Sequence, residues 1–570
     1  MNQESSKASS DKSRVLTLFD CVCIIVGTII GSGIFKIPSI VAAIVPSMPW
    51  MILLWVIGGT VALVGALCFA ELTTNYPEKG GDYGYLKRAF HPNVGFAFSW
   101  TAFWIVRPAN IGAMAMIFGE FAQKAIPGSP SLVTLAILAI AAVSVTNLIG
   151  VTVGKTAQNI LTVAKVLGIL LIVAAAFVFW PSEQGQVKNG QDDIQRVGQV
   201  AGSEYNATES FNSPRSNWVN LNSVNPNTIN PNSAFQNSST LNSAVLNTVE
   251  SSPAKLVGTG LTTTKNLAQD SKKVSGESKP ESESKPESES KPESESGSKF
   301  EADAESEPEQ SWEWFWLAMV FVMFTFGGWN DIAFVASEVR EPKKNLLRSL
   351  VMGTVIVLGV YLLVNFALLF GLGFDRMAEV GFAGNVTSEL VTQSMGQFGN
   401  RLLSVVVCLS CLGAINAMIF TSPRIYAATA ADYPALSWLV GEKKGEGWWR
   451  AMVLQAVLTL GLVFAFGQAD NDGFRNLTAA NAPFFWSFLG MTIVAMIVLR
   501  LKSKSKLTGY RSPLFPLLPI LFLMACGFMV YRAWTYMVSE QLQVWTYLMA
   551  GVVVFGFVLS FVLKRNHEAQ

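Results

Sequence analysis

Two glycine clusters hold the residues whose types and spacing suggest chemistry: Gly31-Ser32-Gly33 in the first long apolar run, and Gly327-Gly328 in a run far down the chain. A glycine cluster in the middle of a membrane-crossing run breaks the helix and frees backbone N–H and C=O groups. Lipid cannot satisfy those groups, so they must line a cavity or a bound ligand. Membrane-helix glycines also serve close packing between neighbours, but two breaks at matching positions favour a cavity. Lys165 is the third such residue, about ten residues or ~15 Å inside another apolar run. An ammonium at that depth is costly; it either snorkels to the interface or has a functional task such as proton exchange. Histidine is no candidate for proton carriage within the membrane, because the only two are His91 at a loop and His567 in the tail. The sequence shows no nucleophile-histidine pair, metal cluster or phosphate loop, which argues against an enzyme and against a metal or other cofactor. Cys21, Cys23, Cys68, Cys408, Cys411 and Cys526 all fall in apolar runs and read as small hydrophobes.

The elements that must position these residues are membrane helices. Of 570 residues, 51% are hydrophobic and 14% charged, a composition more apolar than that of a soluble globular protein. The 41 basic and 40 acidic residues balance, giving no hint of nucleic acid. Runs long enough to span ~30 Å of hydrocarbon occur at about 18–45, 48–71, 93–122, 130–150, 157–180, 313–339, 347–372, 398–430, 449–467, 482–500, 513–535 and 543–563. The prediction is an all-α integral membrane protein with 12 transmembrane helices. The first run, about 25 residues long after a polar tail, is too long for a signal-peptide core and is expected to stay in the mature protein. Lysine and arginine recur in alternate connections, among them Lys79, Lys87, Arg88, Arg340, Lys343, Lys344, Lys502 and Lys504. By the positive-inside rule both tails, 1–17 and 564–570, are expected to be cytoplasmic. The polar stretch 181–311 repeats Ser-Lys-Pro-Glu-Ser-Glu and is poor in aromatic residues. It cannot bury enough apolar surface to offset its ordering entropy and reads as a disordered extracytoplasmic loop.

With that loop set aside, 18–180 and 312–500 each hold five helices, and 501–563 adds the last two. Five is odd, so the second set starts from the opposite side of the membrane, the arrangement of an inverted repeat with discontinuous helices 1 and 6. The polarity of the breaks then makes a chemical prediction. The half-helix starting near Phe35, with Pro38 in its first turn, presents unsatisfied N–H groups and suits an anion. Helix 6, stopping near Phe326, presents carbonyl groups and suits a cation. A zwitterionic α-amino acid carries both charges at that spacing.

The residues also resemble a known family. Gly27-Thr28-Ile29-Ile30-Gly31-Ser32-Gly33-Ile34-Phe35 is similar to the glycine-rich motif of the amino acid-polyamine-organocation superfamily. Phe324-Thr325-Phe326-Gly327-Gly328-Trp329-Asn330, with Ser337-Glu338-Val339 and Glu341-Pro342 after it, resembles the L-type amino acid transporter branch. So do Pro77-Glu78-Lys79-Gly80-Gly81-Asp82-Tyr83, Arg107-Pro108 and residues 421–426. The resemblance implies secondary active transport of L-amino acids by alternating access, through proton symport or amino acid exchange, in the plasma or inner membrane. It implies that Ile29, Ser32 and Gly33 hold the substrate carboxylate, that Phe324 closes over the ligand, that Gly327 stands beside its amino group and side-chain pocket, and that Trp329 and Asn330 are a bulky ring and a polar partner near the unwound segment; Gly31 and Phe326, at the two breaks themselves, complete the expected substrate-binding set. Lys165 matches a position where related carriers replace a sodium ion with an ammonium group. Animal members of the branch pair with a heavy chain through a cysteine in the loop after helix 3; residues 123–131 contain none, so no covalent partner of that kind is expected. Asp331 departs from the pattern: an acid there either favours cationic substrates or faces another helix. Two other readings stay open, a polyamine or cationic amino acid antiporter, and a non-transporting nutrient sensor whose long loop is the active part. Arg107 is expected to support packing or closure, Asn416 to face the cavity, and Glu71, Glu338 and Arg424 to form ion pairs near the cytoplasmic helix ends.

Overall fold

The computed structural model describes residues 14–178, 312–382, 384–439, 448–467, 472–503, 507–539 and 543–563. The predicted loop at 181–311 and most of the two predicted tails lie outside the described residues. The regular structure among the described residues is all helical, with no strand; the one isolated bridge among them is a parallel contact between Leu16 and Val339.

The first apolar run is two pieces. Thr17 and Asp20 form a capping box that starts α1 (Leu18–Ile29). A 3-10 turn, Gly33–Phe35, leads to α2 (Ile37–Ile44), with Pro38 in its first turn, where a missing N–H costs nothing. Then follow α3 (Met48–Asn75), the short α4 (Asp82–Ala89), α5 (Pro92–Thr101) and α6 (Arg107–Ala125). The third predicted run is thus continuous but irregular: a π turn, Ala102–Val106, joins α5 to α6 just before Pro108. Proline has no N–H for the normal ladder and its ring crowds the carbonyl one turn back, so a widened turn relieves the clash. Next come α7 (Leu132–Ile149) and α8 (Val151–Val178).

The second half begins with α9 (Glu313–Thr325), a break, and a 3-10 segment, Trp329–Glu338. It continues through α10 (Pro342–Leu372), α11 (Phe374–Val380), α12 (Val386–Thr421), α13 (Pro423–Asp432) and a 3-10 turn, Pro434–Leu439. α12 is two helical pieces joined at a kink at Gly396, where φ is 61°, and the first piece precedes the predicted run. The chain ends in α14 (Trp448–Gly467), α15 (Asp472–Lys502), α16 (Leu517–Ser539) and α17 (Gln543–Val562).

Among the described residues, ten helical runs are long and apolar enough to cross a membrane, and Leu18–Ile29 and Trp449–Phe464 are apolar but shorter. α8 shows how one helix serves two environments. Gln158, Thr162, Lys165 and Ile169 recur at helical spacing on a buried face, while Ile160, Val163, Leu167 and Leu171 are exposed. An exposed apolar stripe of that kind, repeated on α17 by Val554, Phe555, Val558 and Phe561, is far larger than water tolerates and belongs against lipid. Inside, α1 is packed among α8, α10 and α12, α3 lies along α10, and α6 along α12. The helices around α1 are the ones that hold the candidate site.

Candidate functional site

At the first break, Ile30 leaves helical geometry and the Gly31 N–H turns back to the Ile29 carbonyl at 2.9 Å. The 3-10 turn then uses the N–H groups of Phe35 and Lys36, which donate to the carbonyls of Ser32 and Gly33. The N–H groups of Ser32, Gly33 and Ile34 find no acceptor among the described residues, and the buried Ser32 hydroxyl has no partner either. Buried backbone donors are almost always paired. Such a run of free donors at the head of a half-helix is a ready site for an anionic group.

The carbonyl ends of the same break are occupied. Lys165 Nζ donates to the carbonyls of Gly27 (2.9 Å), Ile30 (2.8 Å) and Ser410 (3.1 Å). An ammonium has three N–H donors, so this set satisfies it completely. Ser410 Oγ lies 2.9 Å from the Ile30 carbonyl and 3.0 Å from that of Gly31, and Tyr361 OH lies 3.1 Å from both the Ile29 and the Thr325 carbonyls. Each hydroxyl has a single proton to share between its two acceptors. Tyr361 thereby bridges the two breaks. Gly413 gives the lysine its passage, since a Cβ there would come within 2.8 Å of Lys165 Cε and Nζ.

At the second break, α9 stops at Thr325 and Gly328 takes a left-handed conformation, φ 108°. A Cβ on Gly328 would also stand 2.8 Å from the Thr28 methyl, so only glycine allows both the turn and the approach of the two breaks. The carbonyl of Gly327 accepts no hydrogen bond among the described residues.

Both breaks open on one cavity of about 150 Å³. Of the residues singled out in the sequence, Ile29, Gly31, Ser32, Gly33, Phe324 and Gly327 line it. Asn110 and Met114 of α6, Met418 of α12, and Asn481, Phe485 and Trp486 of α15 complete much of its wall. Phe326, Trp329 and Asn330 lie outside this lining. Phe326 packs edge-on to Trp55 and against Tyr361, Trp329 packs on Phe69 and Phe522, and Asn330 borders two smaller cavities. Phe326 caps the end of α9, before the turn, while the left-handed Gly328 and the 3-10 winding after it set the directions of Trp329 and Asn330. Lys165 is fully buried and reaches the break through its backbone carbonyls, outside the cavity lining.

Arg107 and Asp331 both line the cavity and hold each other in a two-pronged pair, 2.6 and 2.7 Å, with the guanidinium over the Phe334 ring at 4.9 Å. Such paired geometry is the strong form of an ion pair. Asp331 thus faces another helix through this pair while also lining the cavity. Asn416 lies away from the cavity, bonded to Asn147, Gln158 and the Gly154 carbonyl. Glu338 pairs with Arg424 at 2.9 Å, and Glu71 with Arg500 at 2.8 Å. Tyr361 and Ser410 escaped sequence reading. The only signal was a hydroxyl in mid-run, a common feature of membrane helices.

A family model described as "Amino acid permease" matches residues 16–245 and 288–558. Relatives similar to nearly the whole chain include the b(0,+)-type amino acid transporter 1 of Mus musculus, 26% identical over 562 residues, 96% of this chain and 87% of the relative. The serine/threonine exchanger SteT of Bacillus subtilis (strain 168) is 24% identical over 514 residues, 90% and 88% of the two chains. The cystine/glutamate transporter of Homo sapiens is 24% identical over 524 residues, covering 91% of this chain and 79% of the relative.

Proposed function

The chain belongs to the amino acid permease family, and from that premise we propose that it carries a neutral α-amino acid across a membrane through the cavity where the two breaks meet. It is a multi-pass membrane transporter of amino acids and not an enzyme. The observation that carries the substrate reading is the polarity of the cavity wall. The free N–H groups of Ser32 and Gly33 and the Ser32 hydroxyl, with the free Ile34 N–H next along the turn, suit a carboxylate, and the carbonyl end at Gly327 suits an ammonium. Phe324, 40% exposed at the edge of this cavity, has the position to cover a bound ligand. Arg107 and Asp331 neutralise each other, so the side-chain end of the cavity has no spare charge to reward a cationic substrate. That weighs against the polyamine and cationic antiporter.

Twelve spans follow if the broken α1–α2 and the shorter Trp449–Phe464 are added to the ten long runs. A five-plus-five inverted repeat is supported by contacts between counterparts: α3 with α10, α6 with α12, and α1 with the 3-10 segment after α9. Helices related by an axis through a shared site are expected to meet in this way. The basic connections favour cytoplasmic termini, and a plasma or inner membrane is the setting this reading takes. Lys165 acts in coupling as a fixed cation. Held by three carbonyls, it occupies the place a bound metal cation would need, which makes transport independent of sodium and leaves exchange or proton symport. No covalent heavy-chain partner is part of the proposal, since residues 123–131 lack cysteine.

Reconstituted protein loaded with unlabelled amino acid tests this. Labelled neutral amino acids are expected to enter by counterflow at equal rates with and without sodium. A strict sodium requirement, or counterflow with no amino acid of the panel, contradicts the proposal.

A further inference from the structure

Arg107 has two carboxylates to choose from. Asp331 holds it; Asp82, the first residue of α4, does not, although both Asp82 and Arg107 line a second cavity of about 30 Å³. Asp82 is 2% exposed, and its Oδ1 has no hydrogen-bond partner. A buried ionised carboxylate without a partner is expensive and takes up a proton instead. The turn that carries it is held tightly. Gly80 and Gly81 have φ of 84° and 50°, and a Cβ on Gly81 would stand 2.7 Å from the backbone of Ala333 in the 3-10 segment. Asp82 is therefore pinned to the same segment that bears Asp331.

The charges around it leave little else to compensate it. Arg107 from α6 and Asp331 from the 3-10 segment are the charged neighbours, and Tyr85 lies on its own helix. The part of α15 facing this cavity offers Phe485, Phe488 and Leu489, and α5 offers Phe98. Asp432 of α13 is taken by Tyr83 and Lys87, Arg500 by Glu71, and Lys502 donates to the Ala89 carbonyl.

We propose that Asp82 is a proton-binding site that competes with Asp331 for Arg107, so that its protonation keeps the 3-10 segment Trp329–Glu338 clasped to α6. Once the proton leaves, a second carboxylate draws on the same guanidinium and the clasp on the 3-10 segment loosens. Burial, with the Asp331 charge adding to it, lifts the Asp82 carboxyl to about 8, while Arg107 acts in the opposite sense. A carboxyl raised in this way is neutral below that pH and ionises above it. The clasp is therefore held on the acid side of pH 8 and weakens on the alkaline side. This deepens the carrier reading by naming its proton site, and rests on that reading only for the transport assay.

Two measurements on the full-length protein test it. The infrared carbonyl stretch of a protonated carboxyl is expected to disappear with a midpoint near pH 8 and to be missing from Asp82→Asn. In proteoliposomes, counterflow by the unaltered protein is expected to fall through the same range, Asp82→Asn to be flat with pH, and Asp82→Glu to restore a titration. A wild-type spectrum without that band, or Asp82→Asn with the unaltered pH profile, overturns the proton site. Absence of transport with every amino acid overturns the carrier reading alone, and the infrared titration then decides the proton site by itself.

Discussion

At the first break the carbonyl groups are claimed by protein side chains and the N–H groups are left free; at the second, Tyr361 reaches the Thr325 carbonyl while that of Gly327 stays open. The first is fixed from three sides, by Lys165, Ser410 and Tyr361, drawn from α8, α12 and α10. The second turns on one left-handed glycine and continues as a 3-10 segment, tied to its surroundings through ion pairs at Asp331 and Glu338. Although residues 329–336 are buried, 3-10 hydrogen bonds are poorer than α-helical ones and ion pairs can be exchanged one at a time, whereas moving the first break would leave several buried carbonyl groups unpaired. On the proposed carrier reading, the anion cradle belongs to the first break and the moving part to the second.

The comparison is broken most severely by removing the fixed side. Lys165→Ala strips the Gly27 carbonyl of its donor and weakens the support of Ile30 and Ser410, at about 1–3 kcal/mol for each group left unsatisfied. The expected outcome is loss of counterflow together with a lower melting temperature in detergent. Asp331→Asn attacks the mobile side. It leaves the buried Arg107 charge with half its pairing, because the amide oxygen still accepts one guanidinium N–H, so only part of the ~3–5 kcal/mol of a pair lost outright is expected. Thermal unfolding is expected to show a smaller loss than for Lys165→Ala, and a substrate panel is expected to show no gain or loss of cationic amino acids. A shift in cation preference would return Asp331 to the substrate side. Gly328→Ala is next, combining the strained φ with the contact on Thr28; counterflow is expected to drop while Gly327→Ala, which meets only the Phe324 carbonyl at 3.3 Å, retains more. Ser32→Ala sharpens the comparison with the smallest change. It removes one donor to a charged group, about 1.5–3 kcal/mol, expected as a raised KM with folding intact.

Much of this contrast was legible in the residue order. Gly31 to Gly33 and Pro38 mark where one helix ends and another begins, because glycine and proline act on the local backbone. Lys165 announced itself by depth alone. Its acceptors did not, since Gly27 and Ile30 lie 138 and 135 positions from it and Ser410 lies 245, and only packing unites them. The same holds for the pairing of Arg107 with Asp331, separated by 224 positions. The placement of Phe326, Trp329 and Asn330 behind the cavity was hidden for a different reason. The direction of Trp329 and Asn330 depends on whether the chain after Gly328 winds with three or with 3.6 residues per turn, and that of Phe326 on the residue at which α9 stops; the side chains themselves carry no sign of either choice.

The central claim is that one wall of the cavity takes a carboxylate and the facing break an ammonium of the same small molecule. Competition against labelled substrate tests it most directly, using the transported amino acid, its carboxamide and its deaminated acid. The account predicts that the intact amino acid competes and that neither analogue does at the same concentration. Equal competition by either analogue would show that one of the two charges is not recognised, and would contradict the opposed-break site.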